Sequence, residues 1–316
     1  MGLEMKLDHQ INGAYFDEVM TNLDTESLDL VFVGHNHFDH TGKCLEQDDF
    51  LCNAALAVFG EPDLAWVGAP YSVHAHSQYG AHIVAPHKLC EGLSEEACTG
   101  LWSMDGVQIL EYAELGLKVT AFPSAHSSDF SAPDYLREHP DTEDPDPYTF
   151  IFDFLDSNTA CPTSMMWASS TLSTAPYLEY TETLTHNDQE WSFDYQALLQ
   201  EAMNIREGRP ITYWAFWGSA LPQAEWQKWA DIVQPQYWSN HHHGTLSSEF
   251  FPDLHLPFQG LAIGGSESEP ASDWIDESTN APIVFLPLSQ YWDTVQLKDG
   301  KAAPLPDKQK ERADNF

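Results

Sequence analysis

Basic residues are scarce in this sequence. Its 316 residues include 13 Lys and Arg against 49 Asp and Glu, a formal net charge of −36 at pH 7. A protein that binds nucleic acid needs Lys and Arg to displace the counterions of the phosphates, so this balance argues against a nucleic-acid partner. The long-range field repels polyanions and favours a small neutral ligand. Such acidity is typical both of saline habitats and of ordinary extracellular proteins, and composition does not choose between them.

Long apolar runs are also missing. No stretch approaches the about 20 consecutive apolar residues that a membrane helix needs, and the run at residues 283–286 predicts a buried strand. No secretory signal is visible. An apolar content of 42%, with 13% aromatic residues, is nevertheless that of a globular protein with a large core. The sequence therefore predicts a protein without a membrane partner.

Cysteine is sparse, with five residues in the chain. Cys44 and Cys52 form one close pair, and Cys90 and Cys98 form another, with seven residues between the members of each pair. Close pairs in loop-like sequence predict two local disulfides and a free Cys161. A metal-binding role is the alternative, but the C-x-x-C spacing does not occur. The disulfide interpretation predicts an oxidising compartment, so the protein is expected to be secreted or periplasmic.

The sequence does contain a dense group of metal-ligand residue types. His35, His37, Asp39 and His40 lie within six residues, directly after the apolar run at residues 30–34. Imidazole and carboxylate are the ligands of Zn²⁺ sites that keep a position open for water. Histidines at alternate positions point to one side of an extended segment. A solvated His-rich turn is the alternative, and the density of the group favours a metal site.

This segment, HNHFDH, resembles the HxHxDH signature of the metallo-β-lactamase superfamily of hydrolases. The resemblance implies that His35 and His37 bind one metal ion, and that Asp39 and His40 bind a second. It also implies three further site residues in chain order: a lone His after a strand, a bridging acid, and a His near the end of a later strand.

The fold implied by the resemblance is an α/β, four-layer αββα sandwich, built as a single domain over residues 1–297. Residues 298–316 are charged and predict a loosely ordered tail. Only 34 residues precede His35, and residues 11–23 have the apolar periodicity of a helix. The first β-hairpin of the family is therefore expected to be missing, through truncation or through a first sheet completed by a partner chain, which leaves a homo-oligomer open.

Two later histidines match the expected order. His126 follows the strand-like run at residues 117–122 and corresponds to the third ligand of the first metal. The last ligand of the family typically lies in a His-x-(Gly/Asp)-(Thr/Asp) pattern, which selects His242. His241 and His243 are the alternatives, because register across three identical residues is not fixed by sequence.

The bridging position departs from the family pattern. The strand-like run at residues 165–168 leads into Ser169 and Ser170, and Ser170 stands where the family usually has a bridging Asp. A neutral hydroxyl is a poor bridging ligand for two hard dications. The resemblance therefore implies a first zinc site of normal strength and a weaker second site.

The chemistry implied by the resemblance is hydrolysis. A Zn²⁺ ion held by three His lowers the pKa of its water from about 15.7 towards 7, and Asp39 is expected to orient the water and take its proton. The charge of the chain favours a small neutral ester, lactone or related acyl substrate. A true metallo-β-lactamase, and a metal-binding protein of the same fold with little turnover, are the alternatives.

Elsewhere the patterns predict alternating helices and strands. Strands are expected near residues 64–68, 82–85, 106–112, 117–122, 148–154, 164–168 and 211–217 and before His242, and helices near 53–59, 72–79, 192–207 and 222–233.

Some residues have two interpretations. The acidic, Pro-rich residues 127–147 are a substrate lid or a solvated loop. Trp214, Phe216 and Trp217 form an aromatic cluster that favours core packing over a substrate pocket. His74 and His76 are interpreted as helix-surface residues, not as ligands.

Overall fold

The computed structural model describes residues 20–21, 26–34, 71–90, 93–124, 148–155, 163–168, 177–179, 181–186, 189–216, 223–240, 284–285 and 295–304. The chain divides into two compact units, residues 1–103 and 104–316, which are described separately. The single domain over residues 1–297 stays a prediction. None of the helices in the described ranges is long and apolar enough to cross a membrane.

The first unit contains a three-stranded parallel sheet in the order β1-β2-β3. Its strands are β1 (Leu30–Phe32), β2 (His82–Pro86) and β3 (Cys98–Leu101), and helix α1 (Tyr71–Tyr79) precedes β2. Four of the five residues of β2 are buried, as expected for the central strand of a parallel sheet. The predicted strand at residues 82–85 and the predicted helix at 72–79 are thus confirmed.

A disulfide joins Cys90 to Cys98, with the two Cα atoms 5.5 Å apart. It connects the 3-10 helix His87–Cys90 to the start of β3. This confirms the second predicted disulfide, whereas Cys44, Cys52 and Cys161 lie outside the described residues. The disulfide holds the 3-10 helix and β3 together beside the core of the first unit, where Cys98 is buried.

The second unit is built on a seven-stranded sheet in the order β12-β11-β10-β7-β6-β5-β4. Strands β4 to β7 form an antiparallel meander, and β7, β10, β11 and β12 run parallel. The bounds are β4 (Gln108–Tyr112), β5 (Leu117–Pro123), β6 (Tyr148–Phe154), β7 (Thr163–Ala168), β10 (Tyr213–Phe216), β11 (Tyr237–Asn240) and β12 (Val284–Phe285).

Helices α2 (Tyr195–Ile205) and α3 (Gln223–Val233) cover one face of this sheet. Side chains at alternate strand positions point to the same face, so the buried Phe122, Ile151, Met166, Trp214 and Trp238 form one apolar surface against the two helices. Trp214 is fully buried, which confirms the core-packing interpretation for this residue. Phe216 is described only through its backbone, and Trp217 lies outside the described residues.

The start of α2 differs from the prediction. A hairpin of β8 (Thr181–His186) and β9 (Gln189–Asp194) precedes the helix. The sequence pattern predicts a helix that begins earlier, near residue 192. Asp194 ends the hairpin and caps the helix, because its carboxylate accepts a 2.9 Å hydrogen bond from the backbone N–H of Ala197.

A second hairpin includes residues that the sequence predicts to be part of a loosely ordered tail. Strands β13 (Val295–Lys298) and β14 (Lys301–Pro304) pair antiparallel, so residues 298–304 are ordered, whereas residues 305–316 lie outside the described residues. Asp299 and Gly300 both have positive φ, of 50° and 68°, as a two-residue hairpin turn requires. Ala302 packs against Tyr213 and Ala215 on the sheet face opposite the helices.

A buried ion pair fixes the end of α2 to the sheet. Arg206 donates to both carboxylate oxygens of Asp153 on β6 at 2.8 and 2.7 Å, and both side chains are 1% exposed. A third guanidinium hydrogen bond goes to the carbonyl of Arg209 at 2.8 Å. Gly208, with φ of 68°, donates its N–H to the carbonyl of Met203 just after the end of the helix.

The described residues also include short 3-10 helices at Ser103–Asp105, Ala113–Leu115 and Tyr177–Glu179. The predicted α/β class is confirmed, since both units combine sheets with a few helices. The four-layer arrangement stays a prediction. The predicted helices at residues 11–23 and 53–59 and the strand at 64–68 lie outside the described residues, except that residues 20–21 are helical.

Candidate functional site

All of the predicted metal ligands lie outside the described residues. They are His35, His37, Asp39, His40, His126, Ser170 and His242, with the alternatives His241 and His243. Among the residues that the structure does describe, no group of three or more His, Cys, Asp or Glu side chains could hold a metal ion. What the structure defines is the set of strand ends from which the predicted ligand segments leave.

Three of these strand ends lie at one edge of the seven-stranded sheet. β5 and β7 are each antiparallel to β6, so they run in the same direction, and β7, β10 and β11 are parallel. β5 ends at Pro123, three residues before His126. β7 ends at Ala168, two residues before Ser170, and β11 ends at Asn240, two residues before His242.

The pairing register places the ends of these strands at the same position along the strand direction. Phe122 on β5 is opposite Thr149 on β6, and Thr149 is opposite Ala168, the last residue of β7. Farther along the sheet, Phe216 at the end of β10 is opposite Asn240 at the end of β11. Adjacent strands lie about 4.8 Å apart, so the end of β7 is about 10 Å from the ends of both β5 and β11. The segment after β7 thus leaves midway between the other two.

The fourth strand end belongs to the first unit. β1 is parallel to β2, and its pairing continues past Phe32, because the Val33 N–H donates to the Val84 carbonyl at 2.9 Å. Gly34, the residue directly before His35, is buried. The HNHFDH segment therefore begins three residues after the carboxyl end of a parallel strand.

A buried group of three hydroxyls lies among the described residues at the common edge. The sequence patterns do not predict it. Ser124 directly follows β5, Thr149 is the second residue of β6, and Tyr195 begins α2. Their side chains are at most 1% exposed. The Thr149 hydroxyl and the Tyr195 phenol share a hydrogen bond of 3.3 Å. This set of residues is called the hydroxyl cluster below.

Ser124 is buried although it lies just beyond the end of β5. Its burial was detectable in the sequence, because Thr120, Phe122 and Ser124 alternate along one strand and so share a face. The Ser124 hydroxyl is close enough to the Tyr195 phenol to lower its pKa, although it does not meet strict hydrogen-bond geometry with any described residue.

The electrostatics of the hydroxyl cluster keep it neutral. Burial raises the pKa of Tyr195 far above its usual value, and hydrogen bonding to the hydroxyls of Thr149 and Ser124 offsets part of the rise. The phenol therefore keeps its proton throughout the physiological range. The cluster offers neutral hydrogen-bond donors and acceptors, not charge, to the edge of the sheet.

Two of the described histidines of the first unit, His76 and His82, contact neighbouring oxygens. His76 Nδ1 lies 2.8 Å from the Ala81 carbonyl oxygen. His82 Nδ1 lies 2.9 Å from the Glu96 carbonyl oxygen, and its Nε2 lies 2.8 Å from the Thr99 hydroxyl. Both rings thus have at least one nitrogen in contact with a neighbouring oxygen, and the interpretation of His76 as a helix-surface residue stays a prediction.

No protein-family model matches this chain, and no curated protein matches it. Among solved structures, the chain has a distant likeness to Igni18, a novel metallo hydrolase from the hyperthermophilic archaeon Ignicoccus hospitalis KIN4/I. The identity is 14% and the TM-score 0.37, over 69% of this chain and 65% of that chain. A second likeness is to a mutant of the CmlA beta-hydroxylase, with 12% identity and a TM-score of 0.34, over 68% of this chain and 36% of that chain.

The chain thus spans less than two thirds of the length of either protein. Likeness at this level of identity and TM-score assigns neither a family nor an activity to the chain. The function proposed below therefore depends on the motif and on the arrangement of the strand ends.

Proposed function

We propose that this protein is a metal-dependent hydrolase, with zinc as its metal and a small neutral ester, lactone or related acyl compound as its substrate. The observation that carries the proposal is the common edge at which β5, β7 and β11 end. In open α/β sheets, ligands bind beyond the carboxyl ends of the parallel strands. The segments after these three strands contain His126, Ser170 and His242, in the order that the family motif requires.

The donor chemistry of the first site suits zinc. His35, His37 and His126 supply three imidazoles, the ligand set that keeps one coordination position open in catalytic zinc sites. When bound, the metal supplies a Lewis acid that lowers the pKa of water and polarises a carbonyl oxygen.

The second site is the weaker one. Asp39, His40 and His242 are assigned to it, with Ser170 at the bridging position. The segment after β7 leaves the sheet midway between the segments after β5 and β11, which supports the assignment of Ser170 to a position between two ions. A hydroxyl carries no charge to offset two dications, so the second ion is expected to bind less tightly than the first.

Asp39 is the residue to which we assign the proton transfer. Its carboxylate accepts a hydrogen bond from the attacking water, which orients the oxygen lone pair toward the acyl carbon, and then takes the proton. A carboxylate can do this only within hydrogen-bond reach of the water. The assignment therefore makes Asp39 both an orienting group and a general base.

The charge of the chain supports a neutral substrate, because a net charge of −36 repels nucleic acids and other polyanions. The Cys90–Cys98 disulfide supports an oxidising compartment, since such bonds are rare in reducing cytosol. We accordingly propose that the hydrolase acts outside the cell or in a periplasm. Residues 127–147, proposed as a lid over the site, lie outside the described residues.

Metal quantification on protein purified without added zinc, combined with a panel of ester, lactone, lactam and phosphodiester substrates, tests the proposal. We expect bound zinc and hydrolysis of a neutral acyl substrate. His37→Ala should lower the zinc content and abolish turnover, because it removes one of three imidazoles. His76→Gln is the matched control, since this histidine contacts a backbone carbonyl, and it should retain both zinc and activity.

Full zinc content and full activity in His37→Ala would refute the assignment of the first site. Bound zinc without turnover on any substrate would favour the second candidate, a metal-binding protein of the same fold, which the neutral Ser170 supports. Turnover of the β-lactam nitrocefin, with little turnover of esters or lactones, would identify a metallo-β-lactamase instead.

A further inference from the structure

The three parallel strands of the first unit have their carboxyl ends at one edge of their sheet. β2 is parallel to both β1 and β3, and the three strands end at Phe32, Pro86 and Leu101. Ligands of open α/β sheets bind beyond such strand ends. The residues that directly follow β2 and β3 are His87 and Trp102, and neither has a role in the function proposed above.

His87 and Trp102 form a stacked pair of rings. Pro86 is opposite Leu101 in the pairing of β2 with β3, so the residue after each of them continues the same register. The two ring centroids are 3.4 Å apart, and the ring planes are inclined by 14°. These two residues are called the stacked pair below.

A covalent bond and close packing both hold His87 in place. His87 begins the 3-10 helix that ends at Cys90, and Cys90 is bonded to Cys98 at the start of β3. Gly100 on β3 lets this helix approach closely, because a Cβ atom there would lie 3.0 Å from both Cα and Cβ of His87. The imidazole is therefore fixed beside β3, where it supports the indole.

Trp102 is nevertheless open to solvent. It is 41% exposed although His87 covers one face of its ring, whereas its neighbours Leu101 and Ser103 are fully buried. A large ring that is already fixed in one orientation loses little conformational entropy when a ligand covers it. The stacked pair thus has the properties of a preorganised binding surface, and core packing does not account for the exposed part of the indole.

We propose that the stacked pair binds an aromatic substituent of the substrate, which lies on the exposed part of the Trp102 indole while His87 supports the opposite face. The inference rests on the proposed hydrolase function and narrows its substrate to neutral acyl compounds that carry an aryl group. Aromatic rings gain from offset or edge-on contact with an indole beyond the area that they bury.

The position of the stacked pair assigns it to specificity. β3 is two strands away from β1, the strand that leads to the HNHFDH segment, and two strand spacings are about 10 Å. This distance suits contact with a substituent of the substrate and not with the bond that is cleaved. Trp102 is therefore a specificity-determining residue, and His87 is a positioning residue that acts through it.

The first test measures the binding of phenylacetamide, a neutral aryl amide, by ligand-observed NMR titration. Trp102→Ala should raise the Kd about tenfold, which corresponds to about 1.4 kcal/mol for the lost aromatic contact. Trp102→Phe keeps a ring and should raise the Kd much less. His87→Ala removes only the support and should give an intermediate increase.

Phe154→Ala is the matched control. Phe154 is an aromatic residue that is 40% exposed at the end of β6 in the second unit, and its variant should bind phenylacetamide as the wild type does. An equal increase of the Kd in Phe154→Ala and Trp102→Ala would overturn the inference, since binding would then be common to exposed rings. Binding of tetramethylammonium at Trp102, without binding of phenylacetamide, would also overturn it in favour of a cation site.

The second test compares the hydrolysis of methyl phenylacetate with that of methyl acetate. Trp102→Ala should raise the KM of methyl phenylacetate about tenfold with little change in kcat, because the indole contacts only the substituent. Both constants for methyl acetate should stay at their wild-type values. An equal loss with the two esters would contradict a role in specificity and would indicate a structural one.

The outcomes separate this inference from the proposed function. If the wild type binds no zinc and hydrolyses no substrate, the proposed function fails, whereas the NMR titration still decides whether Trp102 binds an aryl group. If zinc-dependent hydrolysis occurs but Trp102→Ala changes neither the Kd nor the KM, only this inference is overturned. Should Trp102→Ala not fold, Trp102→Leu, which is apolar but has no ring, replaces it in the comparison with Trp102→Phe.

Discussion

The two ends of the seven-stranded sheet differ in how they satisfy their buried polar groups. At the end where α2 finishes, the carboxylate of Asp153 receives two hydrogen bonds from Arg206, and Ser164 and Thr212 exchange two more at 3.1 Å each. At the opposite end, the hydroxyls of Thr149 and Tyr195 share one longer hydrogen bond of 3.3 Å, and the buried hydroxyl of Ser124 lies beside the same phenol.

The difference separates two uses of buried polar groups. A fully paired network rigidifies a fold, whereas an incompletely paired one destabilises it unless a further group completes the set. The paired end is the opposite one from the edge where the predicted ligand segments leave. One end of this sheet is thus held by charged and doubly paired polar groups, and the other, with weaker neutral pairing, is the end from which the proposed ligand segments leave. The following variants test that division, in order of decreasing expected effect on stability.

Asp153→Ala should have the largest effect on stability. It leaves the guanidinium of Arg206, 1% exposed, without its counter-charge, and breaking a buried pair in this way costs about 3–5 kcal/mol. Urea unfolding measures the loss. The zinc affinity of the folded fraction should not change, because the residue lies at the opposite end from the candidate site.

Two controls accompany this variant. The double variant Asp153→Leu with Arg206→Met removes both charges and should be more stable than Asp153→Ala. Lys228→Ala breaks the 3.0 Å ion pair with Glu179, whose side chains are 41% and 61% exposed, and should cost at most about 1 kcal/mol. If Asp153→Ala and Lys228→Ala unfold at the same urea concentration, the buried pair does not have the structural role given to it.

Thr212→Val should have an intermediate effect. Its hydroxyl accepts the backbone N–H of Ser164 at 3.1 Å, so the nearly isosteric valine leaves a buried donor unpaired at a cost of about 1–3 kcal/mol. Thr212→Ser keeps the acceptor and should recover most of the loss. Equal stability of the valine and serine variants in thermal unfolding would show that the paired end does not depend on this hydrogen bond.

Thr120→Val should have the smallest effect on stability, and a slight gain is expected. The hydroxyl of Thr120 is buried with no partner in the described ranges, so replacing it with a methyl group removes a desolvation cost and little else. Thermal unfolding measures the change. A loss as large as that of Thr212→Val would mean that this hydroxyl does make an interaction in solution.

Much of the sheet was predictable from local patterns. The strands of the meander are predictable because each is a short apolar or alternating run between turn residues. Helices α1 and α3 lie within about one residue of their predicted bounds. The hairpin β8–β9 was missed, although Asn187-Asp188 between two alternating runs is a two-residue turn signal. The predicted start of α2 is too early because Asp194, which caps the observed helix, lies inside the predicted one.

The tertiary contacts at the two sheet ends were not predictable. Asp153 and Arg206 are 53 residues apart in sequence, and nothing local marks them as partners. The same holds for Thr149 and Tyr195, which are 46 residues apart. The candidate ligands were recognised through their spacing, but the level ends of β5, β7 and β11 follow from sheet register, which single-sequence patterns do not specify.

The Cys90–Cys98 bond determines how the protein must be handled. Expression in a reducing cytoplasm would produce the first unit without this disulfide, so the protein should be expressed in an oxidising compartment. Dithiol reductants, often added to protect an unpaired thiol such as that predicted for Cys161, would open the bond and also compete for zinc through their own sulfur atoms. Metal content is therefore best measured in buffers free of thiols.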